Sequence, residues 1–127
     1  MKSRLYLIHF ITTLLLIGCA SSSKFAANRT LLKEYAYCRC FQYASNDTVF
    51  LKNDISLSVY RDIANYNFIA YNKIDSLSRL VALGIKPSQI ADYQNKKAIS
   101  FDCFLFYKSK RLNSLIKSLD KEADRHW

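Results

Sequence analysis

The chain has 127 residues, half of them hydrophobic, and a formal charge of +9 from 19 basic and 10 acidic side chains. That apolar share excludes an intrinsically disordered protein, and the length suits one domain with a single modest core. Two glycines and one proline are too few for the many tight turns of a sandwich or barrel, so composition points to helices.

The chain opens with Lys2 and Arg4, a nearly unbroken apolar run from Leu5 to Ile17, and Gly18-Cys19-Ala20. This is the layout of a secretory signal peptide over residues 1–18. Its end, Leu16-Ile17-Gly18-Cys19, resembles a bacterial lipobox, which predicts lipid on the Cys19 thiol and cleavage before it; the small residues Gly18-Cys19-Ala20 also suit an ordinary signal peptidase, so simple cleavage is the alternative. A diacylated terminus would anchor the protein to a membrane without spanning it. Ala20 after the cysteine favours the outer membrane, so the expected location is the periplasm. Residues 19–28, with Ser21-Ser22-Ser23, read as a flexible linker and residues 29–127 as one domain. Export removes nucleic acid from the partners a basic chain would suggest, leaving an anionic membrane, the cell wall or an acidic protein.

The spacing predicts a first helix over residues 29–44. Leu31, Tyr35 and Cys38 form one apolar stripe; Leu32, Ala36, Cys40 and Tyr43 form another. Asn46-Asp47-Thr48 breaks it. A second helix is expected over residues 54–65, capped by Asn53 or Asp54 and burying Ile55, Val59 and Ile63. Asn65-Tyr66-Asn67 signals a turn. A third helix is expected from Asn72, with Asp75 completing a capping box, a buried face of Ile74, Leu77, Leu80 and Val81, and a stop at Gly84.

Residues 85–97 read as a connection with a helical turn starting at Pro87. Residues 83–91 loosely match helix-turn-helix spacing, but any tight helical hairpin does so. The last segment, from Ala98, is apolar nearly all round and is expected to be central, with strand as the alternative around Ile99, Phe101, Phe104 and Phe106. It continues as one long helix burying Leu112, Leu115, Ile116 and Leu119. Lys108, Lys110 and Arg111 read as its solvated outer face. The skeleton is all-α, a small bundle of four to five helices.

The cysteines are Cys19, Cys38, Cys40 and Cys103. Cys38 and Cys40 point about 200° apart on a helix, so both cannot face one partner. Either can pair with Cys103, closing a loop of roughly 65 residues worth about 4 kcal/mol in the chain-entropy model. No metal-ligand spacing and no cofactor motif occurs. The histidines are His9, in the signal, and His126, near the end, so a nucleophilic pair lacks a base. The chain reads as a non-enzyme with no catalytic residue.

Three segments carry a family resemblance: Tyr35-Ala36-Tyr37-Cys38-Arg39, Asp54-Ile55-Ser56-Leu57-Ser58-Val59-Tyr60, and Asp102-Cys103-Phe104-Leu105-Phe106-Tyr107-Lys108-Ser109-Lys110-Arg111-Leu112. In order and spacing, across about residues 30 to 119 of the chain, they resemble the helical immunity proteins paired with the fourth class of type VI secretion amidase effectors. The resemblance implies a disulfide between the first and last helices, Cys38 with Cys103, leaving Cys40 as an extra thiol. It also implies homodimers that cover the catalytic cleft of a peptidoglycan amidase. A plug needs a projecting segment. Lys86, Gln89, Asp92 and Tyr93 on residues 84–95 are the first candidates; Tyr66, Phe68 and Tyr71 are the second. The alternative function is a small envelope lipoprotein with a structural or assembly role at the membrane or wall.

Overall fold

Residues 25–45 and 47–123 are described by a computed structural model. Every element among them is helical, and the one β-type contact is an isolated bridge between Tyr66 and Ala123. The signal segment, Cys19, Asn46 and His126 lie outside the described residues.

Helix α1 covers residues 25–44, which takes residues 25–28 out of the expected linker. Leu32, Tyr35, Ala36 and Cys40 are fully buried. They step by three, one and four residues and so share one face. A short helix that the sequence reading lacked, α2 (Thr48–Asn53), follows at once. The Asp47 carboxylate accepts from the Val49 N–H at 3.1 Å, which satisfies a helix-start donor.

Helix α3 spans Ser56–Ile63. The Asp54 carboxylate accepts from the Ser56 N–H and hydroxyl at 3.0 and 2.5 Å, which holds it below its usual pKa. The expected buried face of this helix is wrong. Ile55, Val59 and Ile63 are exposed, Ile55 by 70%, while Leu57 and Tyr60 pack against the core and Ala64 joins it. A helix this short carries apolar residues on two sides, and the bulkier Leu57–Tyr60 side is the one buried.

Helix α4 spans Phe68–Gly84, starting four residues earlier than expected. The cap is Asn67, whose side-chain oxygen accepts from the N–H groups of Ile69 and Ala70 at 3.0 and 3.2 Å. Asn72 and Asp75 are therefore interior, and Asp75 is an ion-pair partner of Arg39 on α1. Ala70, Tyr71, Ile74, Leu77, Ser78 and Ala82 form the buried face, while Leu80 points out. Tyr71 meets Tyr35 edge-on, with ring centroids 5.0 Å apart, a favoured aromatic geometry.

The expected single last helix is two. Helices α5 (Ile99–Lys108) and α6 (Lys110–Ser118) meet at Ser109, whose φ/ψ of −68°/145° is extended. Its hydroxyl accepts from the Leu112 N–H at 3.1 Å. A serine able to cap competes with continuation of the helix, and here capping wins. Nor is α5 central on all sides: Cys103 and Phe106 are buried, but Phe101, Phe104 and Leu105 are exposed. In α6, Leu112 and Ile116 are buried, followed by Leu119.

The disulfide joins Cys40 to Cys103, with Cα atoms 5.7 Å apart, and so ties α1 to α5. This corrects the expected Cys38–Cys103 pairing. Cys40 stands on the core stripe of α1 with Ala36, whereas Cys38 lies off that stripe and keeps a free thiol.

One end of the bundle gathers the start of α1, the α3–α4 turn and residues after α6. Asn28 accepts from the Asn65 N–H at 3.3 Å, Arg29 is ion-paired with Asp120, and the Asn67 side chain donates to Glu122 at 2.9 Å. The connection after Gly84 lies at the other end of α4.

Candidate functional site

The connection between α4 and α5 is braced by its own main chain. Ile85 is buried and fixes where the chain leaves α4. The Ser88 N–H donates to the Lys96 carbonyl at 2.8 Å, the Tyr93 N–H to the Ile90 carbonyl at 2.9 Å, and the Lys96 N–H to the Tyr93 carbonyl at 3.0 Å. The Ser88 hydroxyl accepts from the Ile90 N–H at 3.1 Å. The helical turn lies at Ala91–Tyr93, later than the expected start at Pro87. Asn95 has φ 66°, a left-handed conformation that asparagine tolerates better than most residues. The Ser88–Lys96 bond closes the segment into a compact surface loop of the Ω type.

Lys86, Gln89, Asp92 and Tyr93 are all exposed on this loop, so the fold brings the first candidate set together on one projection. Tyr93 is 57% exposed and Ile90 63%. Sequence reasoning missed Ile90. Its signal was present: with Ile85 it is one of two large aliphatic residues in residues 85–97.

The second candidate set is divided. Tyr66 and Tyr71 are 5% and 6% exposed, and Phe68 is 72% exposed. The Tyr71 hydroxyl donates to the Ala64 carbonyl at 2.7 Å, which secures the α3–α4 turn. Tyr66 and Tyr71 are thus core residues rather than contact residues, and Phe68 alone of the three is open to a partner.

The Cys38 thiol is pushed up to about 11, first by burial and then by the charges of Asp54 and Glu34. A thiol with so little thiolate is a poor nucleophile near neutral pH. Among the described residues no group of His, Cys, Asp or Glu is placed to hold a metal ion, and no helix is long and apolar enough to cross a membrane.

No curated protein and no solved structure matches the chain. A family model, Tai4, described as type VI secretion system (T6SS) amidase immunity protein, matches residues 30–116. The matched stretch runs from α1 to α6 and takes in the Cys40–Cys103 bond and the braced loop. The chain belongs to the Tai4 family of type VI secretion amidase immunity proteins.

Proposed function

We propose that this protein protects its cell by seating the loop of residues 84–95 in the active-site cleft of a peptidoglycan amidase toxin, so that inhibition is occlusion rather than chemistry. Membership of the family supplies the partner class. The observation that carries the site is the bracing of the loop by its own main chain. A rigid projection loses little conformational entropy when it binds, and Ile90 and Tyr93 on it offer an apolar and an aromatic anchor.

The proposal includes the setting. The signal segment exports the chain, lipid on Cys19 holds it at the outer membrane facing the periplasm, and two copies pair as the family resemblance implies. The exposed stripe of Ile55, just before α3, with Val59 and Ile63 on it supports a surface buried between copies.

The test is amidase activity on purified peptidoglycan, using the amidase encoded beside this protein. Gln89→Ala with Tyr93→Ala removes two exposed loop side chains and leaves the bracing intact. Loss of an interface anchor costs about 2 kcal/mol or more, so inhibition should weaken by at least about tenfold. Unchanged inhibition by the folded double variant would move the contact to the segment carrying Phe68. Absence of inhibition by the wild type would overturn the blocking mechanism. For the anchor, Cys19→Ala should move the protein from the membrane to the soluble periplasmic fraction; a wild type already soluble there refutes lipidation.

A further inference from the structure

Helices α1, α3 and α5 leave an open cleft of about 370 Å³ on the bundle, lined by Glu34 and Tyr37, Tyr60, and Phe104 and Tyr107. Four aromatic rings and one carboxylate form its wall. Phe104 and Tyr107, one helical turn apart, lie parallel with planes 5° apart and centroids separated by 5.9 Å. None of the five residues belongs to the loop of residues 84–95, so the cleft is a separate surface.

Ring faces carry negative electrostatic potential and attract cations. Two already do so here. The Lys33 ammonium sits 4.4 Å from the Tyr107 centroid and the Lys108 ammonium 4.2 Å from that of Phe104. Among the described residues no cation stands over Tyr37 or Tyr60. The ion pairs among those residues are Arg29–Asp120 and Arg39–Asp75, so Glu34 lacks a cationic partner there. Glu34 is the one carboxylate on the wall of this cleft, and it stands beside two ring faces that no cation covers. The hydroxyl of Tyr60 feels it: its pKa is raised by burial first, then by the charge of Glu34, with the Glu34 hydrogen bond adding to it.

We infer that this cleft docks an arginine side chain projecting from a partner protein. The guanidinium would pair with the Glu34 carboxylate and stack on Tyr37 or Tyr60, and its aliphatic stem would lie along the exposed ring of Phe104. Arginine is favoured over lysine because its planar, weakly hydrated head both stacks and forks onto a carboxylate. Lys33 and Lys108 flank the rim and repel a loosely placed cation, so affinity rests on direct contact with Glu34.

The probe is Nα-acetyl-arginine methylamide, titrated into the protein while the ring signals of Tyr37, Tyr60, Phe104 and Tyr107 are followed by NMR. Saturable shifts with a roughly millimolar Kd are expected, with the citrulline analogue, which is neutral but alike in shape, at least about fivefold weaker. Glu34→Gln should weaken arginine binding by a similar factor. Phe104→Leu, at an exposed position that the fold tolerates, should do likewise and serves if Glu34→Gln disturbs folding. Equal binding of the arginine and citrulline compounds, or no saturable shift at about 100 mM, overturns the inference. Because the readout involves no amidase, its failure leaves the inhibitory mechanism untouched.

Discussion

Ser78 on α4 donates its hydroxyl to the main-chain carbonyl of Ala36 on α1, 3.2 Å away, and both residues are fully buried. A small polar side chain sits between the two longest described helices, and its hydrogen bond satisfies a group that has no water to turn to. Ser78→Leu should force α1 and α4 apart and cost about 2–3 kcal/mol, whereas Ser78→Ala should cost about 1 kcal/mol. Chemical denaturation followed by circular dichroism separates them. Equal costs would mean that the hydroxyl, and not the spacing, dominates.

The disulfide assigns different roles to two cysteines that lie two positions apart. Non-reduced peptide mapping should return Cys40 joined to Cys103 and alkylated Cys38. Cys38→Ser should leave stability within about 1 kcal/mol of the parent, while Cys40→Ser should cost about 2–5 kcal/mol. A Cys38–Cys103 peptide would refute the assignment.

Cys38 also gives a pH signature. Its pKa is raised in the fold from 9.0 to about 11, so folding favours the protonated thiol. The associated stability is fully present below pH 9, falls as pH rises from 9 toward 11, and is absent above. Iodoacetamide labelling of the native protein should therefore climb through about pH 11 and that of the unfolded protein through pH 9. Coincident labelling profiles would show that the site is no more shielded than a free chain.

Gly84 ends α4 without needing to be glycine. Its φ is not positive, and a Cβ there would meet nothing within 4 Å. Gly84→Ala should stabilise the protein by about 0.4–1 kcal/mol by reducing the freedom of the unfolded chain. A lower Tm would reveal a constraint on this position that the native contacts do not contain.

Much of this architecture was legible in the residues. The helical class, the turn at Asn65–Asn67, the end of α4 at Gly84 and the buried positions Leu32, Ala36, Ile74, Leu112 and Ile116 follow from periodicity and punctuation. Other features depend on competition that a single chain does not reveal. Asn67 reads as part of a turn and Asn72 as the cap, yet Asn67 caps α4, held there by its tie to Glu122. Ser109 reads as helix surface until its hydroxyl takes the Leu112 N–H. The choice between Cys38 and Cys40 turns on the rotation of α1 by a fraction of a turn, set by Tyr35 against Tyr71 and Ser78 against Ala36. At the candidate site, the exposed polar residues were readable from composition, but the Ser88–Lys96 closure that stiffens them joins residues with no sequence signal.

The start of α1 and the α3–α4 turn gather at one pole of the bundle, and the braced loop lies at the other. Helix α4, with 17 residues, separates those poles by about 25 Å. On the tethered arrangement proposed above, the attachment leaves from the pole beside Asn65 and Asp120. The bilayer would then lie on the side of that pole, with the loop at the far end of α4, toward the mesh where an incoming hydrolase would meet its substrate. The length of one helix would then add to the standoff at which interception happens, and lengthening the flexible linker would widen the volume the inhibitor can sweep.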